Sequence, residues 1–311
     1  MRRIALLIVC VAIAVLPGLT HAHALSGTKC QVLPRDNPWN QRVDRLPVAA
    51  GSERLIAAIG LASPVHPDFG AGLYNGAPIG IPYALVSRHT HRVPVRLTYA
   101  GESDGHRYPL PPHVPIEGGS HSSGDRHVIV VDRNSCVDYE LYAAYPQNGG
   151  VRWTAGSGAI FNLRSDRLRP AGWTSADAAG LPILPGLARY DEVAGGIIDH
   201  ALRFTAPRTR RAYVYPARHF ASSSNDPSLP PMGLRVRLKA NVSLAGLPGQ
   251  ARVVAVALKR YGLLLADNGS PWYISGAPDR RWNNDALHLL NRLHGSDFEV
   301  VHTRALPRPG L

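Results

Sequence analysis

The loop 117–127 reads Glu-Gly-Gly-Ser-His-Ser-Ser-Gly-Asp-Arg-His and feeds the apolar run 128–131. If that run is a strand, period-two geometry puts Asp125, His127, Ile129 and Val131 on one face and Arg126, Val128 and Val130 on the other. His127 then stands where a flexible polar loop meets a buried strand, a place suited to an acid, a base or a ligand group. The plainer expectation is a structural imidazole paired with Asp125. A second group follows at Arg189-Tyr190-Asp191-Glu192 and Asp199-His200-Ala201-Leu202-Arg203. Asp191 and Glu192 cannot both face one site in regular structure, but either can serve as acid or base with a remote carboxylate or imidazole. Asp191 otherwise caps a short segment over 193–198. His200 alternates with Leu202 and Phe204 and should point inward, whereas Arg203 lies on the opposite face, able to bind an acidic group or a hydroxyl. A third imidazole, His219, follows a strand expected to end at Pro216.

If His127, His200 and His219 converge, they can share proton transfer or, as a lesser alternative, hold a divalent metal. No cofactor is otherwise expected. His89-Thr90-His91 is the one local pair at metal-binding spacing, and without a third ligand it reads as surface. Flat aromatic faces beside polar turns, at Trp173, Trp272, Tyr273 and Trp282, suit stacking on sugar rings, against a plainer expectation of core filling. Gly156-Ser157-Gly158 lacks the G-x-S-x-G nucleophile pattern, and no phosphate-binding glycine loop with its lysine occurs.

These groups need a scaffold. Glycine and proline, 30 and 27 of 311 residues, punctuate the chain too often for a helical bundle and suit short strands joined by turns. Strands are expected over 93–99, 127–132, 139–145, 159–163, 200–205, 212–216, 234–242 and 298–301. Apolar residues at helical spacing predict helices over 52–59, 250–261 with Gly262 as stop, and 284–293 with Asn284 as cap. The chain is thus expected to be mainly β, a single sandwich or jelly-roll-like domain over 25–311 with a few peripheral helices.

Arg2 and Arg3 precede an uncharged apolar run at 4–16, the mark of an export leader and too short to span a bilayer. Ala22-His23-Ala24 fits a peptidase site, so the mature chain is expected to begin at Leu25, outside the cytoplasm. Cleavage after Ala22 would instead expose His23, whose amine and imidazole could chelate copper, although the rest of the chain does not resemble the copper oxygenases that do so. Removal of the leader takes Cys10 away and leaves Cys30 and Cys136, expected to form one disulfide in an oxidising compartment. The formal charge of +12 falls by the two charges of Arg2 and Arg3. The basic residues are scattered and accompany no nucleic-acid motif, so they read as solvated surface first and attraction to an acidic polymer second.

Several blocks carry a resemblance: Asp36-Asn37-Pro38-Trp39-Asn40, Gly124-Asp125-Arg126-His127, Ala171-Gly172-Trp173-Thr174-Ser175-Ala176-Asp177, His200-Ala201-Leu202-Arg203-Phe204-Thr205, and the segment 266–279 from Ala-Asp-Asn-Gly to Ala-Pro-Asp. Together, over nearly the whole chain after the leader, they resemble a family of secreted bacterial proteins of unassigned activity, sometimes joined to carbohydrate-binding modules. The resemblance implies export and, by association, work on glycans. The expectation is a monomeric carbohydrate-active enzyme, a glycoside hydrolase or polysaccharide lyase, acting on an extracellular polysaccharide, which can be an acidic one. Glu192 or Asp191 would be acid or base, His127, His200 and His219 would position or transfer protons, Arg203 would bind substrate, and Trp173, Trp272, Tyr273 and Trp282 would stack on it. A non-catalytic glycan- or envelope-binding protein with the same aromatics is the alternative. Nucleic-acid partners are not expected, nor is membrane attachment once the leader is gone.

Overall fold

The computed structural model describes residues 24–311; the leader with Cys10 and His23 lies outside the described residues. Alternating burial along the run 128–131 organises the molecule. Ile129 and Val131 point into one apolar core, and Val128 and Val130 into another. All four are fully buried, each removal from water contributing about 1.5–3 kcal/mol. Their strand, Val128–Asp132, pairs with Tyr83–Val86 on one side and Val137–Tyr142 on the other, and Ser157–Asn162 completes a four-stranded sheet. This sheet is the middle layer of a sandwich.

Outside it, across the smaller core, lies a second four-stranded sheet of Arg107–Tyr108, Val93–Leu97, Arg152–Ala155 and Tyr145–Gln147. On the other side lies a six-stranded mixed sheet in the order His66–Asp68, Tyr273–Ser275, Leu202–Ala206, Leu263–Asn268, Arg235–Leu238 and Phe298–Val300. Leu263, Leu264, Leu265 and Ala266 are all buried, as expected for a strand covered on both faces. Four short helices flank this sheet: α1 Ser52–Ile59, α2 Tyr190–Ala194, α3 Gly249–Arg260 and α4 Asn284–His288. The mainly-β sandwich with few helices is therefore the fold.

Helix α3 buries Ala251, Val254, Ala255, Ala257 and Leu258 and stops at Gly262, which is left-handed (φ 68°) with its amide on the Ala257 carbonyl at 3.0 Å. A Cβ there would stand 2.1 Å from the Val236 carbonyl oxygen, so the stop requires glycine. Local details depart from expectation where tertiary partners compete. Asn283, not Asn284, caps α4 by accepting from the Ala286 amide, and the Asn284 side chain instead bonds both backbone groups of Ala71. At α2, Glu192 accepts from the Arg189 amide as the capping acid, while Asp191 pairs with Arg281 on the surface at 2.8 Å. The expected strand 212–216 contributes only a bridge from Tyr213 to Met232, since Pro207 and Pro216 bracket it and neither can donate to a ladder. Cys30 and Cys136 are joined; Cys136 occupies the turn between two strands of the middle sheet.

Candidate functional site

The ends of the middle and six-stranded sheets meet several loops around a cavity of about 420 Å³. Tyr142 and Ser157, partners in the middle sheet, form its floor on one side. Asp267 and Asn268 enter from the end of Leu263–Asn268, Thr174, Ser175 and Asp177 from one loop, His219 from another, and Tyr99 and Glu102 from the rim. Asp125 comes from the loop before Val128–Asp132.

Asp125 is presented by its neighbour. Arg126 is buried and left-handed (φ 53°), and its guanidinium donates to the carbonyls of Gly119, Ser120, Ser122 and Ala144 at 2.9–3.3 Å. It lies over the Tyr145 ring at 4.3 Å. The glycine-rich loop is thereby folded onto the arginine, and Asp125 is left exposed in the cavity with its carboxylate free of hydrogen bonds to other described residues.

Asp267 is placed by a register shift. Between Phe204 and Thr205 the pairing skips a residue, so that Thr205 stands opposite Asp267 rather than Ala266, a device that re-aims side chains beside sites. Beneath it Arg203, buried, grips Asp177 with two bonds of 2.9 and 3.1 Å, donates to the Ser275 hydroxyl at 2.6 Å and approaches Asp267 at 3.9 Å. Burial first, then the Asp177 carboxylate, push the Asp267 carboxyl up to about 7, with Arg203 only partly opposing them. Asp267 thus holds a transferable proton near neutrality. Tyr142 lies in the fields of both Asp125 and Asp267, which with its own burial hold its phenol above the usual value.

His127 does point to this face, as the alternation requires, but its partner is Glu117 rather than Asp125. Nδ1 meets the Glu117 carboxylate at 2.6 Å and Nε2 the Ala176 carbonyl at 3.0 Å. Both partners are acceptors, so both ring nitrogens carry protons. Burial would lower the imidazole, yet Glu117 overcomes it and raises the group to about 9; Glu117 is correspondingly held low. His127 is a fixed cation that fastens the segment carrying Asp177. His219 fastens the same segment through Nδ1 to the Ala178 carbonyl at 2.9 Å and lines the cavity.

The other imidazole lies elsewhere. His200 meets the Glu192 carboxylate at 3.2 Å and Arg189 Nη2 at 3.1 Å, and bonds the Ala201 carbonyl at 2.8 Å. Burial would raise Glu192, but Arg189 and His200 hold it low. This sealed triad joins α2 to the sheet and does not line the cleft. Glu192 and His200 are therefore together, as expected, but apart from His127 and His219. Among the described residues no group of three or more His, Cys, Asp or Glu side chains is arranged to hold a metal. His89 and His91 are exposed beside a turn.

The aromatic residues also separate. Trp272 is fully buried, stacked between Phe204 and Phe298, with its indole donating to the Gly60 carbonyl. Trp282 is buried against Phe69 and Tyr190. Neither presents a face to a ligand. Trp173 lines a larger cavity, about 560 Å³, whose charged groups Arg169 and Asp104 pair with each other. Tyr273 lines a third, considered below. Arg203 is near the cavity but encased by Asp177 and Ser275, so it shapes the site instead of contacting a ligand.

Sequence reasoning passed over Asp267, Tyr142, Tyr99 and Glu102. An available signal was the apolar run 263–266 broken by Asp267-Asn268-Gly269, an acid at the end of a buried strand. The blocks containing Asp125, Asp177, Arg203 and Asp267 all meet here. Fold and cavity define a mainly-β sandwich protein with a carboxylate-lined cleft. No protein-family model, curated protein or solved structure matches the chain.

Proposed function

We propose that the protein is a secreted glycoside hydrolase acting on a neutral extracellular polysaccharide, with Asp267 as general acid and Asp125 as base or nucleophile. The observation that carries this reading is the pair of carboxyl groups flanking Tyr142 in one cleft, one of them raised to about 7 by burial and Asp177 and the other exposed. Two carboxyl groups in unlike environments are the requirement for glycosidic cleavage. Asp267 gives its proton to the departing sugar oxygen. Asp125 either takes a proton from the water that attacks the anomeric carbon or bonds that carbon itself, water then releasing the sugar. Tyr99 and Tyr142 supply ring faces for a pyranose.

A lyase is the poorer reading, because abstraction beside a uronate needs a cation to neutralise the acid. Among the described residues no lysine or arginine lines the cleft, whereas Glu102 and Asp125 do, so an acidic chain would be repelled. The apolar leader and the disulfide support export.

Exported protein assayed on neutral polysaccharides should release reducing ends, with kcat/KM falling as pH rises above about 7. Asp267→Asn and Asp125→Asn should each reduce kcat by on the order of 10²–10⁴ at an almost unchanged thermal midpoint. Full activity in both variants would reject the mechanism, and binding without turnover would leave a glycan-binding protein.

A further inference from the structure

We propose that the cavity between the hairpin 73–78 and α4 is a second, distal binding site for the same neutral polysaccharide chain, in which Tyr74 and the stacked His66–Tyr273 pair receive sugar rings. This rests on the hydrolase reading only for the kind of glycan. The cavity is about 380 Å³. His66 lies flat on Tyr273, ring centroids 4.1 Å apart, and Tyr74 stands on the hairpin 72 % exposed. A solvent-facing tyrosine and an aromatic pair lining one cavity are surfaces that a sugar ring can cover.

The polar groups of this cavity are available for hydroxyls. The side chains of His66, Asp68, Tyr74 and His288 and the hydroxyl of Tyr273 make no hydrogen bond with another described residue. Burial lowers the His66 imidazole, so at neutral pH it offers one donor and one acceptor, as a sugar hydroxyl requires. These groups are not arranged to hold a metal. The cavity lined by Trp173 differs, since there Arg169 pairs with Asp104 and Asn37 donates to Asp166.

The position fits a polymer. From Asp267 to Asp68 the sheet runs through four adjacent strands, Leu263–Asn268, Leu202–Ala206, Tyr273–Ser275 and His66–Asp68. Three strand spacings separate the two sites laterally, about 14 Å. Asp68 pairs with Ser275, whose hydroxyl receives Arg203, whose other edge holds Asp177. The strand register and the Ser275–Arg203–Asp177 link therefore fix the distance between cleft and distal site, a span suited to an extended chain.

The test uses exported protein carrying Asp125→Asn, to prevent turnover, in native gels containing laminarin, xyloglucan, galactomannan, arabinan or amylopectin. At least one should retard it, and adding Tyr74→Ala or His288→Ala should weaken retardation at least five-fold. Val151→Ala, in the turn before the strand Arg152–Ala155, should not. In the protein with Asp125 intact, Tyr74→Ala should raise KM for that polymer at least five-fold. No retardation by any polymer, or retardation indifferent to Tyr74→Ala, overturns the distal site. Tyr74-dependent retardation without hydrolysis keeps the distal site and removes the hydrolase reading; Asp267-dependent hydrolysis with retardation indifferent to Tyr74 does the reverse.

Discussion

At the scale of single residues, the site depends on buried charges that hold one another. Arg203 carries Asp177 on one edge and Ser275 on the other, and burial, then the field of Asp177, keep Asp267 protonated near neutrality. His127 is a cation because both of its neighbours are acceptors. Its raised value has a consequence with a definite sign. Relative to an unfolded imidazole near 6.5, the pairing with Glu117 stabilises the fold fully below that pH, and the contribution is lost as pH rises through about 9. Removing it forfeits on the order of 3 kcal/mol. Urea denaturation at pH 6 and pH 9.5 should therefore find Glu117→Gln much less stable than the parent at the lower pH and nearly equal to it at the higher. A gap of constant size at both would refute the assignment. The direction of His127 followed from strand alternation, but Glu117, ten positions back, was reachable only once Arg126 had folded the loop.

At the scale of elements, the middle sheet carries an unusual pair on the strand Val137–Tyr142. Asp138 and Glu140 are both fully buried on the face turned from the smaller core. Glu140 accepts from the Ile183 and Leu184 amides at 2.8–3.0 Å, tying the sheet to the 3₁₀ turn Leu184–Gly186. Asp138 meets no hydrogen-bond donor among the described residues, and burial, then the neighbouring Glu140 carboxylate, to which its protonated form donates, push it well above the usual carboxyl value. A carboxyl raised in the fold takes stability away above its unfolded value near 4, increasingly as pH climbs toward the folded value. Asp138→Asn should thus match the parent near pH 4 and melt at a higher temperature by pH 8. A lower midpoint for the variant at pH 8 would show that the acid makes a stabilising contact in its charged form. The helix spacings and Gly262 were legible because a helix is local; the choice of Asn283 over Asn284 was not, because Asn284 answers to Ala71, more than two hundred residues away.

At the scale of the whole molecule, the N-terminal arm is stapled twice. Cys30 joins Cys136 across a separation of 106 residues, and buried Arg235 donates to the carbonyls of Pro38, Gln41 and Tyr261 at 2.8–3.0 Å. A loop of that length restricts the unfolded chain by about 5 kcal/mol at most. The double variant Cys30→Ser, Cys136→Ser, or reduction under mild conditions, should lower the unfolding free energy by several kcal/mol while leaving the far-ultraviolet spectrum of the folded protein unchanged. Equal urea midpoints for the oxidised and reduced protein would mean that the arm is held by Arg235 and packing alone. Among the described residues no helix is long and apolar enough to cross a membrane.

Period-two apolar runs, helical stripes, turn residues and cysteine arithmetic act over a few positions or by simple exclusion, and from them the sequence by itself determined the mainly-β class, three of the four flanking helices and the partner of Cys30. Asp125, Asp177, Arg203 and Asp267 lie within the blocks that carry the resemblance, but the sequence singled out neither Asp177 nor Asp267 and did not say which of the four meet. Only the tertiary structure decided that Trp272 fills the core, that Glu192 and His200 seal α2, and that Asp125 and Asp267 share a cleft with Tyr142. Alternation says whether a side chain points in or out, whereas the identity of what it meets there depends on which strands become neighbours. That pairing joins segments far apart in sequence, and a register shift of one residue at Phe204 and Thr205 decides which acid faces the cleft.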